Sequence, residues 1–139
     1  MWQTTHELIV KDVTKEQIWS TWSDVNRWHQ WDRDIEFTKL SGLFQEGNQF
    51  ELKPKDGPKV TIHIVKCDPL HGFTDLVHFP LAKMYSIHSM EEMPQSLKVV
   101  HTIRVEGLLG WLWRKLVAQK IADGMPEQTE LLVKTAKQK

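Results

Sequence analysis

The sequence predicts an α+β domain: a seven-stranded, curved antiparallel sheet wrapped around one long C-terminal helix, with two short helices after the first strand. Three observations carry this. Between Ile35 and Glu106 the chain breaks into six consecutive strand-like segments divided by short turn signals, and short connections make neighbouring strands antiparallel. From Gly107 onward the apolar period changes from that of a strand to that of a helix. One further strand-like segment comes first, and four of the seven tryptophans (Trp19, Trp22, Trp28 and Trp31) follow it in quick succession.

The first strand spans residues 2–10, where Trp2, Thr4, His6, Leu8 and Val10 alternate with Gln3, Thr5, Glu7 and Ile9. Neither set is cleanly apolar, so the inner face is open. Thr14-Lys15-Glu16-Gln17 fits a capping box, followed by a helix to about Trp22 with Ile18 and Trp22 on one face. Ser23 and Asp24 offer an N-cap for a second short helix running through Trp28 and Trp31. Helices this short are not stable alone. Burial of their tryptophans against something larger must hold them.

The six strands that follow are Ile35–Leu40, Asn48–Lys53, a third marked by Val60, Ile62 and Ile64, Phe73–Phe79, Lys83–Glu92 and Ser96–Glu106. Pro54–Pro58 (PKDGP) reads as a hairpin turn. The last strand is the clearest, with Leu97, Val99, His101, Ile103 and Val105 on one face. The C-terminal helix keeps Trp113, Val117, Ile121, Met125, Leu132 and Ala136 close to one side, and Asp123-Gly124-Met125-Pro126 should kink it. Seven strands twist and curl, so the sheet should meet a straight helix at one end and stand away from it at the other. The gap is the expected ligand cavity.

Composition narrows the function. Eighteen basic and eighteen acidic side chains cancel, which removes long-range attraction to polyanions and argues against a nucleic-acid partner. Cys67 is the only cysteine, so no intrachain disulfide is possible, as suits a reducing cytoplasm. The longest apolar run, Leu108–Trp113, falls far short of the ~20 residues of a membrane span. The N-terminus has neither the basic start nor the apolar stretch of a signal peptide. The expectation is one soluble, cytoplasmic domain over residues 1–139, with no integral membrane segment; no pattern specifies its oligomeric state.

Trp19, Trp22 and Trp31 read as core wedges, while Trp28 is either core or the lip of a pocket. His101 interrupts an otherwise apolar face. It is either a satisfied core histidine or a polar anchor and acid/base group. His6 shares its wall if the first and last strands pair with Trp2, Thr4 and Leu8 inward; otherwise it faces solvent. Asp75 lies between Phe73 and Val77 on an apolar face, and a β-bulge is expected to turn it outward. Tyr85 and Ser86 lie on a strand with no decisive face. The remaining histidines lack metal-ligand spacing, Cys67 has no base beside it in sequence, and no phosphate-binding loop occurs. No metal or cofactor is implied.

The order of elements, with IWSTWSDVNRWHQWDRDI (Ile18–Ile35), GNQFEL (Gly47–Leu52) and IRVEGLLGWL (Ile103–Leu112), resembles the helix-grip fold of the START-like SRPBCC superfamily. It is most similar to the polyketide cyclase/dehydrase and lipid-transport branch. The resemblance spans nearly the whole chain and implies a small hydrophobic or lipid-like ligand held inside. Apolar walls would come from Phe37, Phe50, Ile62, Val99, Ile103, Trp113 and Val117, with Trp28 at the mouth and His101 and His6 as anchors. Two alternatives are a cyclase or dehydratase using His101 as acid/base, and a protein-interaction module, which would show a filled interior and an exposed apolar patch. No catalytic residues are assigned.

Overall fold

The computed structural model describes all residues, 1–139. Its strands are β1 (Trp2–Val10), β2 (Ile35–Lys39), β3 (Gln49–Pro54), β4 (Val60–Asp68), β5 (Gly72–Phe79), β6 (Ala82–Met93) and β7 (Ser96–Glu106). They form one antiparallel sheet in the order β1-β7-β6-β5-β4-β3-β2. The meander from β2 to β7 is closed by β1 returning beside β7. β1 is half-buried at Trp2, Thr4, His6, Leu8 and Val10 and exposed at the residues between, which settles its inner face.

Helix α1 (Lys15–Ser23) starts at the expected capping box: the Gln17 amide donates to the Thr14 hydroxyl (3.1 Å) and the Thr14 amide to the Gln17 side chain (2.9 Å). The second short helix differs from expectation. It is a 3-10 helix over Val25–Gln30, and Trp31 lies just past its end. Neither Ser23 nor Asp24 caps it. The Ser23 hydroxyl donates back to the Trp19 carbonyl within α1, and the Asp24 carboxylate instead pairs with Arg27 and Lys139.

Helix α2 occupies residues 110–136. It is α-helical over Gly110–Trp113, π-helical over Arg114–Ala118 and α-helical again over Gln119–Ala136. Helical structure continues through Pro126; the irregular stretch is the π turn upstream. At 1.5 Å per residue α2 is about 40 Å long, enough to cross the domain. It packs on β1, β7 and α1. Ala118, Met125, Thr129, Leu132, Val133 and Ala136 are buried along it. The core between sheet and helix is completed by Ile18, Trp22, Val25, Trp28, Phe50, Phe73, Val99 and Ile103. This is the curved sheet gripping a C-terminal helix that the sequence predicts.

Candidate functional site

Residues paired directly across antiparallel strands share a face. His6 pairs with His101, His101 with His88, His88 with Phe73, and Phe73 with Cys67. A polar row thus crosses the inner face of β1, β7 and β6 and ends in an aromatic ring on β5. The next row contains Thr4, Ile103, Ser86, Asp75 and Ile64.

The rings stack along the first row, with centroids of His88 and His101 4.1 Å apart and those of Phe73 and His88 4.3 Å apart. The His101 Nε2 is 3.0 Å from the Ser86 hydroxyl. From the α2 side, the Gln128 amide donates to the Asp32 carboxylate at 2.7 Å. His88 keeps an edge accessible, yet its Nδ1 is sealed without a hydrogen-bond partner. No group of three or more His, Cys, Asp or Glu side chains is placed to hold a metal ion.

Asp75 corrects the sequence reading. A register shift does occur nearby, but on β4 between Ile64 and Lys66. The direction of Asp75 on β5 is unaffected; it points inward between Ile64 and Ser86 and is only 6% exposed. Burial alone pushes its carboxyl up to about 8, since a charge in an apolar interior is costly. His101 moves the other way, down to about 4: burial dominates, a polar contact with Gln128 opposes it, and nearby His6 adds to it. Burial and the neighbouring His101 hold His88 well below the usual histidine range. At neutral pH the interior therefore presents a carboxylic acid, two neutral imidazoles and a hydroxyl. These groups can donate to or accept from a neutral polar group, and none carries charge.

The sequence-derived residues fall into three groups. His101, Phe50, Ile62, Val99 and Ile103 are buried on the inner side, His6 is half-buried beside His101, and Val117 is half-buried against the core. The tryptophans are pinned. The Trp28 indole donates to the Trp22 carbonyl (2.9 Å) deep in the core. The Trp113 indole donates to the Pro80 carbonyl (2.9 Å) at the far end, with its ring stacked on Phe79. Phe37 is misplaced by the sequence reading. A register shift between Ile35 and Phe37 turns Thr38 inward, where its hydroxyl donates to the Val25 carbonyl. Phe37 is left 42% exposed on the opposite face.

Two large side chains stand at the rim of this interior. Trp19 of α1 and Phe44 of the β2–β3 loop are half-buried, with centroids 5.8 Å apart. Phe44 is 5.0 Å from Phe73, and Phe73 stacks on His88. A continuous aromatic path thus leads from the surface to the histidine row. Two surface depressions lie elsewhere. One is lined by His78, Phe79, Leu81 and Lys83, the other by Glu46, Asn48, His63 and Leu76.

No family profile matches the sequence, and no curated protein is similar to it in sequence. The fold has many counterparts among solved structures. A hypothetical protein of Helicobacter pylori superposes with a TM-score of 0.79 at 11% identity, over 97% of this chain and 88% of that one. A START superfamily protein from Mycobacterium smegmatis gives 0.72 at 17% identity, over 95% and 97% of the two chains. The Zhui aromatase/cyclase of a Streptomyces species gives 0.73 at 12% identity, over 97% and 93%. The chain has the helix-grip fold that these structures share. Identities this low establish the fold and leave function to the site.

Proposed function

We propose that the protein binds a small, largely apolar molecule between sheet and α2, with one neutral polar group of that molecule anchored at Asp75, Ser86 and His101. The observation that carries this reading is a set of polar side chains facing an apolar core. The His88 Nδ1 is buried without a hydrogen-bond partner, and the Asp75 carboxyl, 6% exposed, lies on the neighbouring row with burial alone acting on its pKa. Leaving buried polar groups unpaired costs free energy that a stability-only core would avoid. A ligand hydroxyl or carbonyl satisfies them. The aromatic path past Trp19 and Phe44 is the way in on this reading.

The test compares 2-naphthol with naphthalene by titration calorimetry. The reading predicts that the hydroxyl strengthens binding about tenfold, the worth of one good buried hydrogen bond, and that Ser86→Ala with Asp75→Leu erases the difference. Equal affinity for both compounds contradicts it.

A second reading has one specific observation behind it. A carboxyl held protonated at neutral pH beside a hydroxyl and an imidazole is a proton donor, and an aromatase/cyclase shares the fold. In that reading Asp75 supplies the proton to a cyclising or dehydrating substrate. His101, with its low pKa, orients Ser86. Turnover of a polyketide-like substrate that survives Asp75→Asn unchanged removes this reading.

A further inference from the structure

One end of the molecule carries large apolar side chains with nothing over them. Leu81 is 63% exposed, Leu108 82%, Trp111 67% and Leu116 59%. They come from the β5–β6 turn, the β7–α2 loop and the first turns of α2, and backbone contacts bind these pieces together. The Leu109 amide donates to the Leu81 carbonyl at 3.0 Å. Gly107, at φ +114, lies so close to this turn that a Cβ would come within 2.5 Å of the Leu81 carbonyl. Trp113 is fixed inward by Pro80 and Phe79, so it is Trp111 that faces water.

The π turn adds the outer row. Its bonding, from the Gln119 amide to the Arg114 carbonyl, joins residues five apart. Trp111 and Leu116 are five apart and both point outward, while Val117 and Ala118 turn toward the core. Such turns recur at functional positions in helices.

Charge separates this face from the rest of a neutral chain. Residues 107–122 contain Arg114, Lys115 and Lys120 and no acid. Lys83 lies beside Leu81 in the groove at this end. The two acids nearby are already paired, Glu106 with Arg104 (3.2 Å) and Asp56 with Lys120 (3.2 Å). Lys83 and Lys115 are left in surplus, and Arg114, its guanidinium 4.8 Å from the Trp2 ring centroid, also has no acid partner.

We propose that this face docks on an anionic lipid bilayer. Leu81, Leu108, Trp111 and Leu116 enter the boundary between headgroups and acyl chains, and Lys83, Arg114 and Lys115 meet the anionic headgroups. Exposed Trp and Leu interleaved with Lys and Arg is the composition of interfacial anchoring, whereas protein–protein interface cores are depleted of Lys. The face lies on the bilayer and does not span it, since no helix is long and apolar enough to cross one. This stands whether or not the interior binds a ligand.

Flotation with vesicles tests it, using phosphatidylcholine alone and phosphatidylcholine mixed with phosphatidylserine. The full chain should float with the mixed vesicles, less with the neutral ones, and less again as salt rises. Trp111→Ser combined with Leu116→Ser should reduce binding to the mixed vesicles at least tenfold. Lys115→Glu should reduce it by about fivefold or more. Both variants should keep the parent's circular dichroism and Tm, because the altered side chains are exposed. No flotation with either vesicle overturns the proposal, as does undiminished flotation of the double variant. Light scattering on the same samples covers the remaining occupant: a dimer that the double variant dissolves assigns the face to a second copy and overturns docking on lipid.

Discussion

Asp75→Asn removes the acid buried on the inner face of β5 while keeping its shape. In the unfolded chain an aspartate titrates near its ordinary 3.8, and in the folded protein burial raises Asp75 to about 8. Below pH ~4 both states hold the proton, and the carboxyl costs the fold nothing on this account. Between the two values the folded state must keep a proton that the unfolded state has lost, so stability falls as pH rises. The slope is about 1.4 kcal/mol per pH unit, and the full interval integrates to roughly 6 kcal/mol. His101 acts in the opposite sense. Its folded value is lowered to about 4, so its contribution raises stability as pH climbs from there to about 6.5, and it largely offsets Asp75 over that range. Asparagine cannot ionise, so subtracting wild type from Asp75→Asn isolates the Asp75 contribution. The variant should be close to wild type near pH 4 and gain about 3 kcal/mol relative to it between about pH 5 and pH 7. The gain should stop above pH ~8. Urea denaturation of both proteins across this range measures it. A difference that stays constant with pH would show that Asp75 titrates normally, and the reasoning about an uncharged interior would fail with it.

Three further outcomes follow from local geometry. Gly72→Ala should destabilise by on the order of 3 kcal/mol in thermal or urea unfolding, because the new Cβ would sit 2.2 Å from the His88 carbonyl on the neighbouring strand. Trp28→Phe loses the buried bond to the Trp22 carbonyl and leaves a void, so a loss of ~2 kcal/mol is expected in urea unfolding. Burial, with Asp68 and Glu46 nearby, raises the Cys67 thiol above its ordinary value. Iodoacetamide should therefore modify the native protein more slowly than free cysteine near pH 8, and unfolding should abolish the difference.

Much of the fold was legible because burial on one face writes a period into each strand. β7 alternates so clearly that the inward direction of His101 could be read from it, and the Thr14–Gln17 capping box could be placed without coordinates. Three things were not local enough to read. The bulge expected at Asp75 lies on the adjacent β4, so the acid stays inside. A register shift against β3 reversed Phe37 and Thr38. In β6 the inner set Met84, Ser86, His88 and Met90 is no more apolar than the outer set Tyr85, Ile87 and Ser89. The face of that strand is set by its pairing with β5 and β7, and so His88 and Ser86 became neighbours of His101 only through cross-strand register. Asp24 looked like a cap, but the chain after it forms a 3-10 helix and the carboxylate finds Arg27 and Lys139.

The claim that an uncharged polar cluster receives a guest under α2 is tested most directly by locating a bound molecule. Two-dimensional NMR of the labelled protein titrated with 2-naphthol should give saturable, one-to-one shifts at Asp75, Ser86, His88 and His101, spreading to Trp19 and Phe44 along the aromatic path. Shifts confined to the outer face of the sheet or to the Leu108–Leu116 end, or no saturable shift at all, would contradict it.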